Sequence, residues 1–167
     1  MMNENDVVEL LKNAEQINVD VWVTGGWGIS ALIGYQIRPH NDIDVFIQTK
    51  DNAVFTGMLN SHGFREIEME FTTNEHTVWV DTSNRTIDLH LFDFIDDKSL
   101  QFGNETYPSD IFNGKGNIGG FPVRCLTAEA QILYHQGYKP EEKDLHDVLL
   151  LCNNFKLSKP KEYEINK

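Results

Sequence analysis

Val7, Leu10, Leu11, Ala14 and Ile17 recur at spacings of three and four. Side chains at that period stack on one face of a helix, so residues 5–16 are predicted to be an amphipathic α-helix. Residues 19–23, Val-Asp-Val-Trp-Val, are short and β-rich and read as a buried strand. They lead into Gly25-Gly26, after which residues 27–33 suit a short helix closed by Gly34. Asp42–Gln48 alternates polar and apolar positions as a second strand, and Asn52–Ser61 as a helix ends near Gly63. Residues 64–71, His76–Val80 and Thr86–Phe94 read as successive strands, with a turn at 81–85 between the last two.

From 95 to 110 the chain is polar and irregular, which places the boundary of a core there. Asn113-Gly114 and Gly119-Gly120-Phe-Pro122 suggest short hairpin-like connections before a helix that starts near Thr127. Residues 141–152 form the last predicted helix, because Leu145, Val148, Leu149 and Cys152 share a face; the tail after Lys156 is expected to be loosely held. The organisation expected is a core over residues 1–95 and a hairpin and helical part over 96–167 that completes a cleft, together one compact unit. A length of 167 residues suits that.

Composition narrows the function. With 40% apolar and 24% charged residues the chain is an ordinary globular sequence, not a disordered one. A formal charge of −12 argues against a nucleic-acid partner, which calls for a basic face, and a cationic small molecule is easier to attract. Solubility alone also explains an acidic balance. Cys125 and Cys152 are too few for a disulfide framework or a zinc site, and reduced thiols are expected. No leader pattern and no run of about 18 apolar residues occurs, so no membrane partner and a cytoplasmic location are expected.

The chemistry lies in the strands. Asp42 and Asp44 project from one side of their strand, about 7 Å apart, while Ile43 and Val45 face the core. In Thr86–Phe94, Ile87, Leu89 and Leu91 share one face and Asp88, His90 and Phe92 the other. If the two strands pair, three carboxylates converge. Two such charges about 4 Å apart repel by roughly 4 kcal/mol at an effective dielectric near 20, which a divalent cation would offset. Hard oxygen ligands suit magnesium better than zinc. On the carboxylates alone, a solvated strand face explains the pair equally well.

The glycine pair shifts that balance. A strand, two glycines and a helix start form a phosphate-binding arrangement, with backbone N–H groups facing outward and no side chain in the way. Arg38 and His40 are candidates for further phosphate contacts. A calcium loop is excluded, because its remaining ligands and glycine do not follow Asp42-x-Asp44. The upstream glycine turn and Asp88 do not belong to the Asp-x-Asp pattern of sugar-nucleotide glycosyltransferases.

Gly-Gly-Trp-Gly at 25–28, Arg38-x-His40-x-Asp42-Ile-Asp44 and Ile-Asp-Leu-His at 87–90 together resemble the small antibiotic nucleotidyltransferases of the DNA polymerase beta superfamily. Gly119-Gly-Phe-Pro-Val-Arg-Cys125 resembles a segment of aminoglycoside 2″-adenylyltransferases. Tyr134-His-Gln-Gly-Tyr138 and Asp144-Leu-His-Asp147 resemble the short lincosamide nucleotidyltransferases, the nearer likeness in length and motif. The resemblance runs from about Asp20 to Leu151. It implies an α+β nucleotidyltransferase fold of the polymerase beta-like kind, with a mixed twisted sheet flanked by helices and a small C-terminal helical lobe. It also implies magnesium, as two ions, on Asp42 and Asp44 with Asp88 in the third carboxylate's place, and a nucleoside triphosphate on Thr24, Gly25 and Gly26. Many lincosamide relatives read Asp-Gly-Gly-Trp-Gly-Val-Asp, whereas Thr24 and Ser30 stand here at the outer aspartates; this bears on the substrate more than on the reaction class.

The expected activity is transfer of a nucleoside monophosphate to a hydroxyl of a lincosamide, Asp88 serving as general base, metal ligand or both. An aminoglycoside acceptor, a protein acceptor and a non-catalytic nucleotide-binding module are the alternatives. For the acceptor, His90 and Phe92 are cleft candidates by strand alternation. Tyr134, His135 and Tyr138 suit a sugar-bearing ligand as well as they suit packing. Asp144 and Asp147, with Lys143 and His146, lie near the start of the last helix and fit nucleotide or acceptor contact or a solvated face. Trp22 and Trp27 read as core or cleft walls; His76 and Trp79 receive no role. A homodimer is compatible with this reading.

Overall fold

The computed structural model describes residues 1–137 and 139–163. Helix α1 (Glu4–Gln16) starts at a capping box in which Asn3 and Asp6 each accept the other's backbone N–H. It buries Val7, Leu10, Leu11 and Ala14, the face its spacing predicts. Strand β1 (Trp22–Thr24) is only three residues long and passes straight into helix α2 (Gly25–Ile33). Val19 and Val21 are buried but lie before the ladder, so the strand begins later than its β-branched residues suggest. Gly34, in the left-handed region at φ 93°, closes α2 with its N–H on the Ser30 carbonyl.

Next come β2 (Asp42–Gln48), α3 (Asn52–Ser61), β3 (Arg65–Ile67), β4 (His76–Val80) and β5 (Thr86–Phe94). The strand expected over 64–71 shrinks to three residues. β3 sits at the sheet edge, where one neighbour only supplies hydrogen bonds, and it is exposed throughout. The segment expected to be irregular contains the hairpin β6 (Ser99–Phe102) and β7 (Glu105–Pro108), anchored by Leu100 at 1% exposure. Strands β8 (Gly114–Ile118) and β9 (Phe121–Cys125) pair across Gly119-Gly120, both at positive φ, as a two-residue hairpin turn requires. Helices α4 (Ala128–Tyr134) and α5 (Glu142–Phe155) complete the chain's long elements.

The strands form one mixed sheet in the order β3-β4-β5-β2-β1-β9-β8, with β6 and β7 continuing from the end of β5. Within the main order, the parallel pairs are β2 with β5 and β1 with β9; the other neighbours run antiparallel. Residues from beyond 95 therefore flank the strand that leads to the glycine turn. Ile43, Val45, Ile47, Ile87 and Leu89 pack with α1 and α3 residues in the main core. The opposite sheet face carries an aromatic cluster of Trp22, Phe46, Phe92 and Phe112 with Leu100 and Leu126. A third cluster joins Ile29 of α2 to Ile132, Val148 and Leu151 of α4 and α5. Cys125 and Cys152 are buried, free thiols. No helix among the described residues is long and apolar enough to cross a membrane.

β8 seats on α2 through Gly116, where an added Cβ would meet the Ala31 carbonyl oxygen at 2.1 Å. Gly116→Ala should cost about 1–3 kcal/mol in urea unfolding, because backbone atoms must shift to admit it. Gly57→Ala, in α3 with open space around the position, should be neutral or stabilising by roughly 0.5–1 kcal/mol.

Candidate active site

Register assembles the carboxylates. Thr24 of β1 stands opposite Asp44 of β2, which stands opposite Asp88 of β5, and Asp88 faces Val78 of β4. Directly paired residues point to one side of a sheet, so Asp44 and Asp88 are neighbours and Asp42 lies one step along the same face. Their charges act on one another. Burial, then Asp42 and Asp88, raise the Asp44 carboxyl to about 7; burial, then Asp88, raise Asp42. Arg38 opposes both shifts, and Lys143 of α5 opposes that of Asp42.

The start of α2 abuts Asp44. Gly25 has φ +59°, and a Cβ there would fall 2.0 Å from Asp44 Oδ2, so conformation and space both require glycine. At Gly26 a Cβ would fall 2.3 Å from His40 Nδ1 and 3.0 Å from Arg38 Nη2. Thr24, the N-cap residue, makes no capping bond; its hydroxyl donates to Gln131 Oε1 at 3.4 Å. The first N–H groups of α2 are thus left without a side-chain cap beside the carboxylates, with the helix dipole adding partial positive charge.

Arg38 is gripped by Asp147. Its Nε and Nη2 donate to that carboxylate at 3.0 and 2.7 Å, and Asp147 is fully buried. His146 Nδ1 lies 2.9 Å from the other oxygen. Asp147 is therefore not free for an acceptor, contrary to the expectation from sequence. Asp144 is also buried and receives the Glu141 N–H as the capping box of α5, which corrects its expected acceptor role. His40, 2% exposed, packs on Trp27 and meets Ser30 Oγ at 2.9 Å through Nε2. Burial, then Arg38, lower its pKa to about 4, so it is a neutral prop beneath the glycine turn where a direct phosphate contact was expected.

Of the acceptor candidates, Phe92 is 1% exposed and belongs to the aromatic cluster, so it does not line an open cleft. His90 stacks on Phe46 at 4.8 Å and approaches His76 at 4.2 Å; burial, then His76, lower it to about 3. His135 uses Nδ1 on the Gln131 carbonyl and its own carbonyl on the Tyr163 hydroxyl, so both groups end the helix. Tyr134 lies 5.9 Å from Tyr107 of β7, against the hairpin. Tyr138 lies outside the described residues.

The sequence reading missed two groups. His76 Nε2 lies 3.1 Å from Asp88 Oδ1. Gln131, fully buried, bonds Thr24 and comes within 2.3 Å of a Cβ placed on Gly28. A glutamine placed between Ala130 and Ile132, on the side of the helix that also carries Ala128, was the available signal. Cavities of about 470 and 600 Å³ lie between α1 and the β8–β9 hairpin and around Trp22, Phe94 and Phe112; Asp42, Asp44 and Asp88 line neither.

No three His, Cys, Asp or Glu side chains among the described residues form a finished metal-ligand cluster. Magnesium does not demand one, since it binds through one or two carboxylates and completes its shell with water and substrate phosphate. Asp42 and Asp44 offer hard oxygens of that kind, and Gly25 keeps Asp44 Oδ2 clear of a neighbouring side chain.

The model of the aminoglycoside-2″-adenylyltransferase family matches residues 6–151. The chain belongs to this family. A lincosamide resistance protein of Staphylococcus haemolyticus is 28% identical over 152 residues, covering 88% of this chain and 92% of the relative. A 2″-aminoglycoside nucleotidyltransferase of Klebsiella pneumoniae is 25% identical over 134 residues, covering 80% and 72%. Among solved structures, the lincomycin-bound lincosamide antibiotic adenylyltransferase LnuA superposes with a TM-score of 0.80 at 25% identity, covering 94% of this chain and 99% of LnuA. ANT(2″)-Ia in complex with adenylyl-2″-tobramycin gives 0.76 at 22% identity, over 91% and 88%, a likeness of fold. The α+β architecture of this adenylyltransferase family member is the nucleotidyltransferase fold.

Two outcomes test the site. Asp44 binds its proton more tightly folded than unfolded, so its ionisation removes stability as pH rises from its ordinary 3.8 through about 7. The metal-free melting temperature of Asp44→Asn should accordingly exceed wild type by a margin that widens across that window and levels above it. Asp147→Asn, which leaves Arg38 without its carboxylate, should lose about 3 kcal/mol in urea unfolding.

Proposed function

We propose that the chain transfers a nucleoside monophosphate from a nucleoside triphosphate to a hydroxyl of a lincosamide such as lincomycin or clindamycin. The observation that carries this reading is the contact of the uncapped α2 N-terminus, at Gly25, with Asp44 in register with Asp88. One end of that contact suits phosphate and the other suits a cation and a proton. Bound by Asp42 and Asp44, magnesium would neutralise triphosphate charge and hold the α-phosphate for attack.

Asp88 takes the proton of the acceptor hydroxyl as its oxygen forms a bond to the α-phosphorus and the bond to pyrophosphate breaks. The N–H groups of α2 hold the triphosphate in line. Lys143, on the first turn of α5 and near enough to Asp42 to favour its ionised form, offers an ammonium to the leaving pyrophosphate.

A lincosamide acceptor is favoured by the fuller alignment with the lincosamide resistance protein, 92% of its length against 72% for the aminoglycoside enzyme. The second reading is an aminoglycoside acceptor, which the matching family model and the charge of −12 favour. Incubation of the protein with magnesium, each nucleoside triphosphate and each antibiotic, read by product mass, should give one nucleotidyl adduct of a lincosamide. Modification of kanamycin or tobramycin and no lincosamide would establish the second reading. Asp42→Asn and Asp44→Asn should abolish the adduct with an unchanged circular dichroism spectrum. Asp88→Asn should slow transfer by roughly 10²–10⁴-fold.

A further inference from the structure

We infer that His76 is a positioning residue for Asp88: its Nε2–H holds one carboxylate oxygen so that the other is presented to the acceptor hydroxyl. This rests on the role of Asp88 as the base in the proposed transfer.

Among the described residues, His76 is the one side chain hydrogen-bonded to Asp88, with Nε2 3.1 Å from Oδ1. A carboxylate only accepts, so Nε2 carries the hydrogen and the neutral imidazole suffices. The ring is held from two directions, 4.9 Å from Phe71 in a near-parallel stack and 4.2 Å from His90. Strand register fixes its place, since His76 stands opposite His90 and Val78 opposite Asp88, one step away along β4.

The need for such a hold is electrostatic. Asp88 shares its sheet face with Asp42 and Asp44 and raises the pKa of both, so like charge drives it away from them. Arg38 favours the ionised form of each of those two, with Lys143 adding to it at Asp42. Neither lysine nor arginine is hydrogen-bonded to Asp88 in the described residues; His76 fills that place. A general base acts only when its oxygen is aimed within hydrogen-bond reach of the proton it removes. Removing the donor therefore frees the carboxylate to swing, with its chemistry intact and its aim lost.

The test uses the full chain with the acceptor found by the mass screen. His76→Phe keeps a ring between Phe71 and His90 and deletes the donor, whereas His76→Gln restores an N–H of similar reach. His76→Phe should lower kcat by about 10–100-fold, as loss of an outer hydrogen-bond partner does, with the KM for nucleotide within about twofold of wild type. His76→Gln should regain most of the rate. In an Asp88→Ala background His76→Phe should cause no further loss. Independently of turnover, nitrogen NMR of the unliganded protein should show His76 protonated at Nε2 in wild type and a mixture of tautomers in Asp88→Ala.

Wild-type kcat in His76→Phe beside a crippled Asp88→Ala overturns the inference. So does an undiminished effect of His76→Phe in the Asp88→Ala background. Near-wild-type activity of Asp88→Ala overturns instead the assignment of Asp88 as base. Should His76→Phe fail to fold, the His76→Gln rate and the wild-type tautomer decide, since loss of rate in His76→Gln or an Nδ1–H tautomer in wild type contradicts the proposal.

Discussion

A carboxylate pressed against the first residue of a helix, with two like charges on the same sheet face, is the constraint around which this molecule is arranged. Asp44 leaves no room for a Cβ at position 25, and the chain turns there at a positive φ, so glycine is required twice over. The like charge must be opposed, and Arg38 opposes it at Asp42 and Asp44. Arg38 in turn must be held, which Asp147 does from inside α5. His40 and Gln131 close the underside of the turn, and a Cβ on Gly26 or Gly28 would strike them. Residues far apart in the chain are thus fixed by one charge and the space around it.

The parts of this legible in the sequence are those set by local periodicity. Alternation in Asp42–Gln48 and Thr86–Phe94 separated core from site residues, and pairing of the strands brought Asp44 opposite Asp88. The glycine turn was legible because strand, glycines and helix follow one another without a gap. Register and burial were not. Asp144 and Asp147 read as charges on a helix start; the first is taken up locally by the Glu141 N–H as a cap, and only the long-range approach of Arg38, from the segment between α2 and β2, claims the second. Phe92 and His90 share a strand face, yet the β6–β7 hairpin and the Ser109–Phe112 turn bury the first within an aromatic cluster. His76 gave no signal because its partner lies on the next strand.

The same division explains why chemistry is easier to read than substrate. The glycine turn and the two carboxylate strands are contiguous motifs. The 68–75 segment and the β6–β7 hairpin, by contrast, are segments of weak periodicity that tertiary contacts assemble. Ser30 is informative here. Its hydroxyl meets His40 Nε2 at 2.9 Å and also accepts the Ile37 N–H. An aspartate at that position would favour an imidazolium; with a hydroxyl the buried ring stays neutral.

The Arg38–Asp147 pair spans 109 residues of sequence, and β1 is flanked on one side by β9. During synthesis Arg38 and the glycine turn leave the ribosome well before Asp147 and Gln131. Contacts of such separation form late, since loop closure precedes any gain from them. A growing or truncated chain ending before α5 holds an acidic face without its anchored cation. One that ends before β9 also leaves β1 with an unpaired strand edge of the kind that invites aggregation, and the emergence of α5 sets the moment at which Arg38 is first anchored.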